Sequence, residues 1–270
     1  MRKSLVVVAP FLIAACAEPT AVRTPSFDFG LRTVWSSVAP SVVVPAGYDA
    51  VMGGTNNQVP HSWANVRYQQ VFEGADLNDP ILVGLCLRRD EAPGGTERTQ
   101  SLTIKLGPTS LNHTNLTMAF EANYLVPPTT VFAGDVIVPA NPAGGTISDF
   151  DLCIPFTQSY EHTPETNVIL EILNTSTVSG FSPRDACTSA EEACTTARIY
   201  AFSSTATAAT LSGREGLILK FMSPEPPRPV DPVAKAECMK GGWSSFSFRN
   251  QGQCVRFIET GTDSRTEDAL

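Results

Sequence analysis

The chain has 270 residues, of which 42% are hydrophobic and 17% charged, and its formal net charge is −8. This is enough chain for one large domain or for one domain with a small appendage. Because an acidic excess repels phosphate groups, we expect no nucleic acid among its partners.

The first 16 residues have the order of an export signal. Arg2 and Lys3 form a positive segment, and residues 5–15 form an apolar run of about a dozen residues, too short for a transmembrane helix. The run ends IAAC at residues 13–16, which resembles the lipobox of bacterial lipoproteins. The resemblance implies that residues 1–15 are a signal peptide and that Cys16 carries the lipid. An ordinary signal peptide, cut elsewhere, is the alternative.

The residue after this cysteine is Ala17, and not the Asp that retains lipoproteins in the inner membrane. The resemblance therefore implies a lipid-anchored protein of the bacterial cell envelope, at the outer membrane or the cell surface. Removal of residues 1–15 would change the formal net charge from −8 to −10, because it removes two basic residues. Residues 16–40 are rich in Ala, Thr, Ser and Pro, and we predict a lipidated, flexible tether with a reach of about 25 Å.

Residues 41–222 have the pattern of a β domain. Short runs alternate apolar and polar residues, and Gly, Pro, Asn or Asp bounds each run. We predict strands within residues 41–45, 65–72, 80–88, 100–107, 116–123, 130–138, 150–156, 167–174, 197–203 and 215–221. Because no helical apolar stripe persists, the predicted fold class is all-β, a jelly-roll-like β-sandwich.

The chain has seven cysteines, and six remain for disulfides if Cys16 carries lipid. Six cysteines allow 15 pairings, so the sequence alone proves none. Spacing favours three pairs, Cys187–Cys194, Cys238–Cys254 and Cys86–Cys153. We expect Cys86 and Cys153 on the outer faces of their strands, where they could clamp neighbouring strands. A zinc site is the alternative, but it lacks a CxxC pair.

A dense proline run at residues 223–232 predicts a stiff, extended linker. Residues 233–258 are then predicted to form a small disulfide module, because so few residues bury too little apolar surface to fold without a cross-link. We expect a short helix capped by Asp231 and Gly241, followed by a hairpin that turns at residues 250–252. The polar residues 259–270 are predicted to be a disordered tail.

Two segments resemble exported bacterial proteins. The GGW and NQG motifs between Cys238 and Cys254, with their spaced phenylalanines, resemble a small C-terminal module of unknown function. The body has GGTNNQVPHSW at residues 53–63 and RYQQVF at residues 67–72, and it resembles exported β-sandwich proteins of unknown function. Many of those proteins end in a PEP-CTERM sorting tail, in place of which this chain has a lipobox. The resemblance implies a surface role and no catalytic residues.

Catalytic motifs are scarce. The sequence contains no GxSxG, HExxH or GxxxxGK[ST] motif, and His61, His113 and His162 lie in loop-like segments. Carboxylates such as Glu121 and Glu171 could serve a glycosidase, but nothing in the sequence selects two of them. We expect both on exposed strand faces. The sequence therefore favours a non-catalytic protein.

Aromatic residues near the start of the body are the best candidates for ligand contact. Trp63 and Tyr68 could stack on sugar rings, although packing in the core is the alternative. We expect no cofactor, and a structural Ca²⁺ at Asp76, Asn78 and Asp79 is the alternative to an ordinary turn. The predicted function is that of a lipid-anchored β-sandwich that binds or scaffolds a carbohydrate or another component of the cell envelope. An exported glycan-acting hydrolase, or its carbohydrate-binding accessory domain, is the alternative.

Overall fold

The computed structural model describes residues 40–224, 231–261 and 264–265. The predicted signal peptide, the predicted lipidation site Cys16, nearly all of the predicted tether and most of the predicted linker lie outside the described residues. Within the described part, no helix has the length and apolar character needed to cross a membrane.

The described residues form thirteen strands, four short 3₁₀ turns and one α-helix, so the all-β prediction is confirmed for the body. The strands are β1 Ser41–Val44, β2 Thr55–Asn57, β3 Val66–Phe72, β4 Ile81–Arg88, β5 Arg98–Thr109, β6 Thr129–Val138, β7 Phe150–Glu161, β8 Asn167–Asn174, β9 Arg184–Cys187, β10 Ala197–Ala201, β11 Leu211–Gly213, β12 Gly216–Leu217 and β13 Leu219–Met222. The 3₁₀ turns are Gly74–Asp76, Phe120–Asn123, Lys235–Cys238 and Gly242–Phe246, and helix α1 is Gln251–Thr260.

Two large antiparallel sheets of the described residues pack face to face. One sheet has the strand order β1-β13-β4-β7, and the other has the order β11-β10-β3-β8-β5-β6. If the eight strands β1, β3–β8 and β13 are counted along the chain, the first sheet is ordered 1-8-3-6 and the second contains 2-7-4-5. This order is the double Greek key of a jelly roll, as predicted. A small third sheet, β12-β9-β2, contacts β4 through β9.

The hydrophobic core lies between the two large sheets. Alternate side chains of each strand face inward, which is the period-2 pattern that the sequence indicates. Leu85 and Leu87 of β4 are completely buried there, as is Ile104 of β5. The rings of Phe72 in β3 and Phe221 in β13 meet edge to face across the two sheets, with centroids 5.7 Å apart.

Strand β4 departs from strict alternation where its pairing with β7 is irregular. Its register with β7 shifts between Leu82 and Gly84. Leu82 pairs with Tyr160 and Gly84 with Pro155, so the extra residues lie in β7, and at this irregularity Leu82 is buried in the core together with Leu85. Ile81 and Val83, which alternation places in the core, are only half buried.

The described part of the chain contains three disulfides, Cys86–Cys153, Cys187–Cys194 and Cys238–Cys254, which are the pairs that spacing favours. Cys86 and Cys153 lie directly opposite each other on β4 and β7, with Cα atoms 3.9 Å apart. Cys86 and Cys153 lie on the outer face of the sheet, opposite the core side chains Leu85 and Leu152, and Cys86 is only 3% exposed there. The face is covered, because Met222 contacts the Cys86 sulfur and Arg88 is buried nearby.

The prediction of a strand at residues 116–123 is also wrong. This segment contains the 3₁₀ turn Phe120–Asn123 and packs on the outer face of the six-stranded sheet. Phe120 is completely buried there against Ile199 and Ala201 of β10. The alternating pattern therefore reflects a loop that packs on a sheet. Strands β2, β9 and β11 were not predicted, because they have only three or four residues and polar sequences.

The C-terminal module has an α-helix where a hairpin was predicted. Helix α1 follows Asn250, whose side chain accepts a hydrogen bond from the backbone N–H of Gln253 at 3.0 Å. The helix ends at Thr260, and the next residue, Gly261, has a φ of +70°. The NQG motif therefore caps a helix and does not form the turn of a hairpin. The predicted caps Asp231 and Gly241 are likewise wrong, since the first turn of the module begins after Ala234.

The module also extends beyond the predicted boundary at residue 258. Helix α1 continues to Thr260. The guanidinium of Arg265 lies 4.4 Å from the ring centroid of Phe248 and 5.0 Å from that of Phe257. Arg265 also donates to Asp231 at 2.6 Å. The start of the predicted tail therefore belongs to the disulfide module.

Candidate ligand-binding site

The six-stranded sheet is two strands wider than the sheet that it faces, and this difference leaves room for a site. The core draws its buried side chains from β3, β5, β6 and β8, whereas β10 contributes only the half-buried Tyr200. Alternate residues of a strand share a face, so Arg198, Tyr200 and Phe202 lie on the inward side. Ile199 and Ala201 lie on the opposite side and are buried against Phe120. The inward side of β10 is therefore partly open to solvent.

An exposed aromatic cluster occupies this open side. The ring centroids of Trp63 and Phe202 are 5.5 Å apart, and their planes form an angle of 69°. Tyr200 meets Phe202 in the same edge-to-face manner, with centroids 5.6 Å apart. Trp63 is 45% exposed and Phe202 is 49% exposed. Adjacent exposed aromatic side chains of this size are typical of binding surfaces.

A cleft with a volume of about 250 Å³ opens beside these rings, and we call it the aromatic cleft. Its lining residues are Asn56, Asn57, Gln58, Val59, Trp63, Arg198, Tyr200 and Phe202. Among the described residues, the side-chain amides of Asn56 and Gln58 have no hydrogen-bond partner. The cleft therefore combines apolar rings with polar groups that are free to bind a ligand.

Arg198 contacts both an aromatic ring and the polar side chains at the cleft. Its guanidinium lies 5.3 Å from the ring centroid of Tyr200 and donates from Nη1 to Oδ1 of Asn57. Its Nη2 is 3.4 Å from Oε2 of Glu215. The Asn57 amide in turn donates to the hydroxyl of Tyr68 at 3.2 Å. These contacts fix Asn57 and leave one positive and one negative charge in balance at the site.

The structure places the two predicted contact residues in different positions. Trp63 lies at the aromatic cleft. Tyr68 is completely buried and cannot stack on a ligand, so its predicted role needs correction. Burial raises the pKa of Tyr68 above its ordinary range, and its hydroxyl donates to Gln70 at 2.5 Å while it accepts from Asn57. Tyr68 therefore supports the cleft from beneath.

Sequence reasoning did not identify Arg198, Tyr200 or Phe202 as site residues. The run RIYAF was interpreted only as a strand. A signal was present, since three large polar or aromatic side chains occupy every second position while the residues between them are apolar. What the sequence does not show is that segments near residues 57, 63 and 200 meet in space.

The position of the cleft wall depends on a buried ion pair. Arg88 lies 2.6 Å from Asp185 of β9, and neither side chain is exposed. Arg88 also donates to the carbonyls of Tyr48 and Val51, at 2.6 and 2.7 Å. Asp185 accepts from the backbone N–H of Gly53 at 3.0 Å, and β2 begins two residues later. Burial raises the pKa of the Asp185 carboxyl, although the Arg88 guanidinium opposes that rise.

Glu121 and Glu171 do not lie together on an open face. Glu171 is completely buried, which corrects the expectation of an exposed strand position. It accepts from Arg67 at 2.7 Å and from Lys105 at 3.0 Å. Glu121 is 68% exposed and lies 2.6 Å from the same guanidinium. Burial alone would lower the pKa of Arg67, but its bonds to the two carboxylates raise that pKa above its ordinary value.

The three histidines have different surroundings. His61 is completely buried, with Nδ1 3.0 Å from Oε1 of Gln100. Burial lowers the pKa of His61 to about 3. His162 has its Nε2 2.7 Å from the carbonyl of Asp79, beside a second cleft of about 280 Å³. His113 lies 3.4 Å from Glu73.

The segment considered for calcium forms a turn. Asp79 accepts from the backbone N–H of Ile81 at 3.0 Å, and Asp76 accepts from that of Ala46 at 3.1 Å. Backbone amides therefore occupy an oxygen of each carboxylate. Among the described residues, no three His, Cys, Asp or Glu side chains are arranged to hold a metal ion.

Comparison of the chain with protein-family models, with curated proteins and with solved structures found no match. The candidate ligand site is therefore chosen by comparing the residues that line the two clefts. The second cleft, beside Pro127, Tyr160 and His162, presents no exposed aromatic ring. The aromatic cleft has two such rings beside free amides, and it is the stronger candidate for ligand binding.

Proposed function

We propose that this chain is an exported, lipid-anchored and non-catalytic protein that binds its ligand in the aromatic cleft. The observation that carries the proposal is the exposed pair Trp63 and Phe202 beside the unbonded amides of Asn56 and Gln58. Apolar walls with a few convergent polar groups are the usual composition of a ligand site. A ligand can gain contact area on the rings and orientation from the amides.

The location of the protein follows from a different set of residues. The signal-like residues 1–15 and the lipobox cysteine Cys16 support export and attachment to a membrane of the bacterial envelope. The three disulfides of the described residues support the same proposal, because such bonds persist in oxidising compartments. The binding domain would then face the outside on its tether.

The buried acids of the body support a binding role rather than hydrolysis. A glycosidase needs two carboxyl groups that both reach the substrate. Glu171 and Asp185 instead form ion pairs with Arg67 and Arg88 inside the protein. These carboxylates stabilise contacts between strands. We therefore propose that the protein holds its ligand without cleaving it.

The test measures binding and turnover together. Full-length protein, purified from membranes in detergent, is incubated with soluble polysaccharides and with peptidoglycan, and bound and released material are both measured. We expect saturable binding without release of products, and Trp63→Ala should weaken that binding. The matched control is Ile137→Ala, because Ile137 is 60% exposed on β6, at the opposite edge of the same sheet. Turnover that is lost in Trp63→Ala would reject the non-catalytic function.

The anchor has its own test. Mass spectrometry of the mature protein should show an acylated Cys16 at its N-terminus. Cys16→Ser should abolish acylation and signal-peptide removal at that site. A wild-type protein that reaches the envelope without acylation would reject the lipid anchor while leaving the binding site untouched.

A further inference from the structure

We infer that the aromatic cleft binds a neutral polysaccharide, with successive sugar units on Trp63 and Phe202 and with hydroxyl groups bonded to Asn56 and Gln58. This inference rests on the proposed function, since it names the ligand of the same cleft. Three features of the site carry it: the angle between the rings, the balance of donors and acceptors, and the balance of charge.

The angle between the rings favours a chain over a single sugar. A sugar ring has an apolar C–H face that packs on an aromatic ring and a rim of hydroxyl groups that bind water or protein. The planes of Trp63 and Phe202 form an angle of 69°, so one flat sugar ring cannot lie on both. Each aromatic ring can instead receive a different unit of one chain. The cleft volume of about 250 Å³ is also small, so a longer ligand would extend beyond it.

The polar groups favour hydroxyl ligands over a proline-rich peptide, which also binds aromatic grooves. Each amide, at Asn56 and at Gln58, offers both a donor and an acceptor. A proline has no N–H, so a proline-rich peptide would leave these acceptors unpaired. A hydroxyl group both donates and accepts, and it can satisfy every one of these groups.

The charges favour a neutral ligand. Arg198 and Glu215 lie 3.4 Å apart and largely cancel each other at the cleft. The Arg198 guanidinium already covers the ring of Tyr200, so a cationic ligand finds that face occupied. The net charge of −8 opposes the approach of polyanions. A polymer without charge avoids both conflicts.

The test uses full-length protein in detergent and affinity electrophoresis in gels that contain one polymer each. The probes are hydroxyethyl cellulose, galactomannan and soluble starch as neutral polymers, polygalacturonate as the anion, chitosan as the cation, and a proline-rich decapeptide by calorimetry. At least one neutral polymer should retard the protein. Trp63→Ala and Phe202→Ala should each weaken that binding about tenfold or more, whereas Ile137→Ala should not. Binding should change less than about twofold when salt is raised above physiological strength, because a neutral ligand is not screened.

The outcomes separate the ligand class from the proposed function. Preferential binding of polygalacturonate, chitosan or the peptide that is lost in Trp63→Ala would overturn the neutral ligand and leave the binding function standing. Equal binding by the parent, Trp63→Ala and Phe202→Ala would overturn both. Thermal unfolding of each variant shows whether it is folded, and Trp63→Phe should retain more affinity than Trp63→Ala. If Trp63→Ala does not fold, the comparison of Phe202→Ala with Ile137→Ala decides the result.

Discussion

Arg88 and Asp185 form an ion pair 2.6 Å long between β4 and β9, and both side chains are completely buried. Asp185 also accepts from the backbone N–H of Gly53, just before β2. A Cβ at Gly53 would lie 2.1 Å from the carbonyl oxygen of Ala186, so only glycine permits this close approach. One buried pair thus links the stability of the sandwich to the position of the cleft wall.

Asp185→Asn should destabilise the protein by about 3–5 kcal/mol, because it leaves the Arg88 charge buried without its partner. Chemical denaturation measures this loss. The control is Asp135→Asn, the same substitution at an exposed side chain of β6, which should change stability by less than about 1 kcal/mol. Similar losses of stability in the two variants would contradict a larger stabilising effect of the buried pair.

Stability should fall as the pH is lowered from about 6.5 toward 3, because of His61. Burial and the nearby Arg184 and Arg98 hold the pKa of folded His61 at about 3, although its bond to Gln100 opposes them. In the unfolded chain a histidine titrates near 6.5, so the unfolded state binds the extra proton in this window. The resulting loss is up to about 1.4 kcal/mol per pH unit, and it is absent above the window.

The measurement is a series of urea unfolding curves at pH 7, 6 and 5 for the parent and for His61→Gln. The variant lacks the titrating ring, so its stability should depend less on pH, even if it is less stable at pH 7. Parallel pH dependence in the two proteins would contradict the assignment to His61.

The sequence predicted the strands of the body because each strand buries one face, and that constraint produces a period of two. The same logic failed in β4, where the pairing with β7 is irregular between Leu82 and Gly84, because such an irregularity leaves no mark in the pattern of a single strand. It also failed at Phe120, where burial against the outside of a sheet imitates burial in the core.

The site was harder to predict than the fold because it is assembled from distant segments. Trp63 was a candidate from its type alone, but its partner Phe202 is brought to it by the pairing of β3 with β10. Tyr68 and Tyr200 are paired across those strands, yet one is buried and the other lines the cleft. The exposure of side chains on β10 depends on where the four-stranded sheet ends. The sequence pattern of β10 alone does not contain that information.

Glu171→Gln should cost about 3–5 kcal/mol of stability, because Arg67 and Lys105 then lose the buried negative charge that compensates them. Glu121→Gln alters a carboxylate on the same Arg67, but that side chain is 68% exposed and the expected cost is below about 1 kcal/mol. Denaturation of the two variants under identical conditions compares them. A larger loss for Glu121→Gln would contradict the structural role of Glu171.

The C-terminal module should lose its structure when its disulfide is removed, and the sandwich should not. The Cys238–Cys254 bond spans 16 residues, a loop whose closure is worth about 3 kcal/mol. In a variant with both cysteines replaced by Ala, hydrogen exchange should show fast exchange across α1. The amides of β8, in the middle of the six-stranded sheet, serve as the internal control and should keep their protection. Full protection of α1 would show that packing alone holds the module.

Tyr68→Phe should separate support of the cleft from packing of the core. The substitution keeps the buried ring but removes the hydroxyl that accepts from Asn57 and donates to Gln70. Two buried polar groups lose a partner, so stability should fall by about 1–3 kcal/mol. Asn57 also loses the contact that fixes it beneath Arg198, and affinity for the polymer that the parent binds should fall several-fold.

The matched control for this change is Tyr160→Phe. Tyr160 is also buried in the core, and burial raises its pKa to about 12, but its hydroxyl forms no hydrogen bond with the described residues. Its loss should leave stability within about 0.5 kcal/mol of the parent and should not change affinity. Denaturation and affinity electrophoresis measure both quantities in both variants. If Tyr68→Phe binds the polymer as tightly as Tyr160→Phe, the hydroxyl of Tyr68 does not position the cleft, because its removal would then act on stability alone.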